Sequence, residues 1–523
     1  MELKQNLIHR KYDKARARNQ ITIGDDYSLA EGKPDLARIL QTKPEMIVDE
    51  VHTEKGKIKI QGKLKVWVLY LADRSEELAS CLETEFPFDE ILYMEGAANG
   101  DHLKIGWNIE ELQVEIIHPG KLGVRALVTL YGEIAADETI MITEGITGAE
   151  GICTKGGEMT FAEPVLEQKA SYRIRDEVVL PANKPNVQTI LWKELQLRGL
   201  DLRIQEGRIA IKGEILFWVI YQPESESGKI QWMEQSIPFH GTVDVEGITP
   251  EMFGVPEAEV SCQNIELKPD YDGEMRLFQI EMQIELQLQA YEERICKCLV
   301  DAYSTKELIT LQTQEVLFHK LRMCNQTKCR VEAQRAVTEE ASIVQILGNQ
   351  SRILNKRTKR TEQGILWEGT LEVQVVYLTA NEEHPLGSMT VMVPCSQLIE
   401  IPEIGEEDLW KVSELPEQLF INVIDGLKLE VRGVIGLNAC VLEQCRLQNV
   451  MEIKTESYDP QEQKKRPGMM IHFVQPNETL WEIAKKHRST MEDLQRENEL
   501  TTEEIVAGQK LIIMKHSEET IFS

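Results

Sequence analysis

The chain has 523 residues, and none of its stretches approaches the ~20 consecutive apolar residues that span a bilayer. The opening MELKQNLIHRKYDKARARNQ carries charges where an export signal needs an apolar run, so the protein is expected to stay in the cytoplasm that makes it. Basic charge is scarce. There are 58 Lys and Arg against 87 Asp and Glu, a net charge of −29. Phosphate backbones and anionic lipid surfaces are bound by clustered Lys and Arg, so nucleic acid and membrane surfaces are excluded as principal partners. Cysteine is modest at ten residues. Cys296-x-Cys298, Cys324-x4-Cys329 and Cys440-x4-Cys445 are close pairs, but no Cys-x2-Cys occurs and no His stands at ligand spacing beside them. A zinc site is therefore not expected; a reducing cytosol would keep these groups as buried or idle thiols, with redox cross-linking as the alternative. Catalytic signatures are missing too: there is no glycine-rich phosphate loop, no G-x-S-x-G elbow and no H-E-x-x-H. The many carboxylates read as surface, and the expectation is a non-enzyme without metal or cofactor.

What is present is repetition. IKIQGKLKVWVLY (Ile58–Tyr70), IAIKGEILFWVIY (Ile209–Tyr221) and ILWEGTLEVQVVY (Ile365–Tyr377) are one pattern used three times. In the first, Ile58, Ile60, Leu64, Val66, Val68 and Tyr70 alternate with Lys59, Gln61, Lys63 and Lys65, the mark of a strand with one buried face. Gly62, Gly213 and Gly369 occupy the same internal position, where a missing side chain permits a bulge or a close crossing. Pro87, Pro238 and Pro394 follow at a constant distance after Tyr70, Tyr221 and Tyr377. Spacings of about 150 residues are domain-sized rather than solenoid-sized.

Taken in order, 1–160 forms a first unit. Its mixed-charge Leu7–Arg18 leads to a short strand at Gln20–Ile23, and Pro34 suits the start of a brief helix over Pro34–Leu40. Residues 161–310 and 311–457 repeat the plan, and Lys356–Arg360 reads as an exposed loop. Residues 458–468 (YDPQEQKKRPG) are a polar linker with two prolines and a glycine. Residues 469–515 differ in kind: a strand at Met470–Val474, a capping box at Thr479–Glu482, a helix with Leu480, Ile483, Ala484 and His487 on one face, a second helix over Thr490–Asn498, and a strand at Gly508–Ile513. The fold class is mainly β, with three tandem β-sandwich or barrel-like repeat domains followed by a small α+β (βααβ) domain.

The terminal segment resembles a LysM domain through Val474, Thr479, Leu480, Trp481, Ile483, Ala484, Leu494, Asn498, Gly508, Gln509 and Leu511; Asn477 and Glu478 stand where that family usually has Gly-Asp. The upstream units resemble the SPOCS domain of spore-coat proteins. Lys33-Pro34 and Lys184-Pro185 precede Ile39-Leu40 and Ile190-Leu191, and the signature strand follows; the third unit lacks the Lys-Pro pair. The resemblance implies a spore morphogenetic scaffold in the mother-cell cytoplasm at the forespore surface, whose LysM domain binds the coat-basement ATPase SpoIVA and other coat proteins. It also implies a possible peptidoglycan groove between two loops. The expected partner- or glycan-binding residues are Pro476, Asn477, Glu478, Thr479, Leu480, Trp481, Lys485, Ile505 and Val506. Trp481 leads because aromatic anchors dominate interfaces. Lys485, Lys486 and Arg488 would face an acidic partner or solvent.

Overall fold

The computed structural model describes residues 2–73, 78–148, 151–224, 229–337, 342–381, 385–459, 461 and 466–515. Each of the three units is a sandwich of two antiparallel sheets. In the first, the strands Leu36–Glu54, Lys57–Ala72 and Ala79–Tyr93 form a meander with the signature strand in the middle. Facing it, Lys121–Thr147 is flanked by Glu2–Ile23 and Leu103–His118, with the short Asp26–Ser28 beside it. The second unit repeats this with the meander Val187–Gln205, Arg208–Pro223, Gln231–Asp244, and with Met275–Ser304 between Ile152–Val179 and Glu257–Pro269. The third has Ile343–Thr361, Gly364–Thr379, Leu386–Glu400, and Lys428–Ser457 between Glu307–Ala336 and Leu409–Ile424. The units are open sandwiches, not closed barrels.

Alternation explains the layering. Ile58, Ile60, Leu64, Val66, Val68 and Tyr70 are fully buried and meet Leu122, Val124, Ala126 and Val128 of the facing sheet in one cluster. Each such aliphatic side chain contributes roughly 1.5–3 kcal/mol on leaving water. The signature glycines sit opposite register shifts in the preceding strand, at Val48/Glu50, Arg198/Asp201 and Leu354/Arg357. A Cβ on Gly62 would lie 2.2 Å from the Ile47 carbonyl oxygen and 2.8 Å from the Phe88 ring, and one on Gly213 would lie 2.7 Å from the Phe239 ring. Bulge and ring therefore share the space that glycine leaves.

The lead-in is not helical. Pro34 lies in a loop and the strand begins at Leu36, because the loop is held from both sides. Tyr70 donates its hydroxyl to the Pro34 carbonyl, and Lys33 reaches the Cys81 carbonyl at 3.0 Å. Tyr221 and Lys184 make the same bonds to Pro185 and Trp232. The third unit's equivalent position, Ala341, falls outside the described residues. Two further expectations are corrected. Leu7–Arg18 and Gln20–Ile23 belong to one long strand, whose sparse apolar residues Ile8, Ala15, Ile21 and Ile23 suffice because the backbone ladder to 126–147 carries it. Lys356–Arg360 lies in the strand Ile343–Thr361, its charges taken up by Glu414, Glu368 and Glu406. The sheets change over between Thr147 and Ile152 and between Ser304 and Glu307; we propose units of 2–147, 152–304 and 307–457 on that basis.

The three sandwiches close on one another about a shared hub. Leu40, Leu191 and Leu347 occupy equivalent positions, as do Leu69, Ile220 and Val376, and Ala79, Ile230 and Leu386; all lie in one buried cluster with Trp192, Leu216 and Trp218. Polar contacts join every pair of units. Lys43 reaches Glu194 at 2.8 Å, Gln196 reaches the Asn349 carbonyl at 2.6 Å, and Gln41 reaches Gln350 at 2.9 Å. Glu194 is buried, and burial pushes its carboxyl pKa up against the pull of Lys43. On another face, Glu257 pairs with both Lys104 and Lys411, one from each neighbouring unit, beside a cavity of about 900 Å³ lined by all three. The ends of the opening and closing strands gather in a second apolar cluster around Leu299, Ala302 and Val450, with Ile146, Leu311 and Ile453.

Candidate functional site

The terminal domain pairs the strand Met469–Phe473 antiparallel with Lys510–Met514, and carries helix α1 over Leu480–His487 and helix α2 over Met491–Glu497. The capping box forms as its residues dictate: the Glu482 amide donates to the Thr479 hydroxyl and the Thr479 amide donates to the Glu482 carboxylate. Asn498 ties the end of α2 to the last strand, donating to the Ile512 carbonyl at 2.7 Å and accepting from the Ile512 amide at 2.6 Å. Val474, Leu480, Ile483, Ala484, Leu494, Leu511 and Ile513 form the core.

Two loops come together at one end. Gly508 donates to the Val474 carbonyl, Val474 donates back to Gln509, and the Gln509 side chain accepts from the Val506 amide. Pro476, Asn477, Thr479 and Val506 are exposed there, Val506 at 72%, and Ile505 and Glu478 are half-buried. Asn477 has φ +66°, a left-handed conformation that glycine usually fills and that Asn adopts more readily than other side chains. The Glu478 carboxylate accepts from the Gln475 amide at 2.8 Å and sits 2.8 Å from His472, and these contacts hold its pKa below the usual carboxylate range. The two residues that replace Gly-Asp thus preserve the turn. Leu480 is buried in the core.

Trp481 and Lys485 face elsewhere. The Trp481 ring packs edge-on against Tyr303, centroids 4.9 Å apart, and its indole N–H donates to Asp301 at 2.8 Å. Lys485 binds the same carboxylate at 2.7 Å, and the Tyr303 hydroxyl donates to the Ser489 carbonyl. Burial raises the Asp301 pKa, but the bonds from Lys485 and Trp481 outweigh it and hold the group low. Lys486 pairs with Glu478 at 3.7 Å, and Arg488 stacks on Tyr458, whose hydroxyl donates to Ser304. The basic face that could have met an acidic partner is engaged within the chain. Asp301, Tyr303 and Tyr458 were not legible as site residues, because nothing in the end of a long strand marks it as a docking platform. Residues 460 and 462–465 of the expected linker fall outside the described residues. Among the described residues, no three His, Cys, Asp or Glu gather as a metal site requires, and no helix is long and apolar enough to cross a membrane.

The model of the SipL SPOCS domain matches residues 35–117, 186–269 and 342–424, and that of the LysM domain matches 472–513. This is a SipL-like chain. No curated protein and no solved structure matches it. Each SPOCS match covers the meander and the strand after it, so the opening and closing strands, which complete every sandwich, lie outside the matched segments. The three SPOCS domains place the protein in sporulation, LysM is a peptidoglycan-binding type of module, and neither family is catalytic.

Proposed function

We propose that this SipL-like chain is a non-enzymatic scaffold of endospore coat assembly, working in the mother-cell cytoplasm at the forespore surface. Its LysM domain would recognise a protein, a coat-basement ATPase of the SpoIVA type, and so tether the coat layer. The observation carrying this reading is the docking of Trp481 and Lys485 on Asp301 and Tyr303. That contact fixes the module on the scaffold while the loops at Pro476–Thr479 and Ile505–Val506 stay accessible. A fixed module lowers the entropy lost when a partner binds.

Peptidoglycan binding is the second reading, favoured by the turn that Asn477 and Glu478 preserve between the two loops. The test uses the full chain: co-purification with a SpoIVA-type ATPase, alongside sedimentation with purified peptidoglycan, for wild type and Val506→Asp. Capture of the ATPase, weakened by the substitution, supports the scaffold. Sedimentation with peptidoglycan and no capture of the ATPase replaces it with the glycan reading.

A further inference from the structure

The third unit carries thiols placed unlike those elsewhere. Cys324 on the strand Glu307–Ala336 stands directly opposite Cys440 on Lys428–Ser457, and their sulfurs are 2.7 Å apart, close but not bonded. Directly opposed residues of an antiparallel pair have Cα separations of about 4.5–5.5 Å, within the range a disulfide bridges. No backbone movement is needed to close the bond. The pair sits two positions beyond the register shift at Leu321/Met323, and Lys411 is opposite Cys440 on its other side. Cys324 is exposed, whereas Cys440 is buried.

We propose that Cys324 and Cys440 form a reversible disulfide site that locks the opening strand of the third unit to its closing strand, with a small-molecule disulfide as oxidant. Cys324 is the partner an oxidant in solution can reach, so it is the nucleophile, and its contact with Cys440 favours its thiolate. The Cys324 thiolate attacks one sulfur of the oxidant, forming a mixed disulfide and releasing one thiolate. Cys440 then attacks the Cys324 sulfur and displaces the second. Two protein thiols are oxidised, the oxidant is reduced to two thiols, and these take up both protons. The bond closes a loop of 116 residues, and the entropy removed from an unfolded chain grows with loop length. Cys329 and Cys395 also share a hydrogen bond, but both lie buried in the core between the sheets, where an oxidant has no access.

The test treats the full chain with oxidised glutathione, then uses alkylation, non-reducing digestion and mass spectrometry. The expected result is a Cys324–Cys440 linked peptide, a fall of two in the count of ten thiols, and a rise in the unfolding temperature that dithiothreitol reverses. Cys440→Ser, checked for folding by circular dichroism, should stop at a glutathione adduct on Cys324. If both residues of the wild type remain alkylatable, if it halts at the adduct, or if other cysteines pair instead, the proposal is overturned.

Discussion

Trp481 donates its indole hydrogen to Asp301 across 180 residues of sequence, so the aromatic side chain most suited to gripping a partner is already gripping the scaffold. Asp301→Ala should remove that bond and the ion pair to Lys485 together. The cost expected for stranding these donors is about 1–3 kcal/mol of docking energy. Hydrogen exchange should show faster exchange confined to α1 and α2, with the three sandwiches unchanged.

The hub is the most sensitive part of the scaffold. Trp218 is fully buried among residues of all three units, and Trp218→Ala should cost about 3–5 kcal/mol in urea unfolding. Half-buried Lys63→Ala, which loses an ion pair to Glu85 on the first unit's outer face, should cost under about 1 kcal/mol.

The signature glycines should not respond equally to Gly→Ala. A Cβ on Gly62 meets backbone at 2.2 Å, one on Gly213 meets the ring of Phe239 at 2.7 Å, and one on Gly369 meets Trp367 at 3.2 Å. The expected order of destabilisation is Gly62, then Gly213, then Gly369, measured as unfolding midpoints. Cys395 stands where the other units have Phe88 and Phe239, which is why the third is the most tolerant.

Acid should loosen the LysM domain before the sandwiches. Burial, followed by repulsion from His472, Lys486 and Arg466, lowers the His487 pKa from its ordinary 6.5. Below 6.5 the unfolded chain binds the proton first, so stability falls as pH drops through the window between 6.5 and the lower folded value. Fluorescence of Trp481 followed from pH 7 to 5 should report this, and His487→Gln should flatten the profile.

At the loop, Asn477→Gly should be neutral for folding, whereas Asn477→Val forces a β-branched residue into φ +66°. A cost of about 1–3 kcal/mol is expected in thermal unfolding of the LysM domain.

Much of this was legible in residue patterns. The period-two alternation of Ile58–Tyr70 revealed both the strand and its inner face, and the Thr479–Glu482 spacing located a helix start that the structure repeats. The outer face was read only halfway. Lys59, Lys63 and Lys65 do face solvent or ion pairs, but Leu69 and Leu71, like Leu216, Trp218 and Ile220, interrupt the polar alternation, and that interruption is the mark of the hub. The long opening strands were missed because a ladder held by backbone bonds needs few apolar residues. The LysM dock escaped notice because Asp301 and Tyr303 acquire their role only when two distant segments meet.

The shared hub has a consequence for how such a protein is made. A nascent chain that has released only two units still shows solvent the bare apolar flank of Trp218 and Ile220, and the seal comes only when Leu347 and Val376 arrive. Copies cut short are therefore adhesive. Loss of one repeat would not shorten a string of beads; it would leave a ring unclosed.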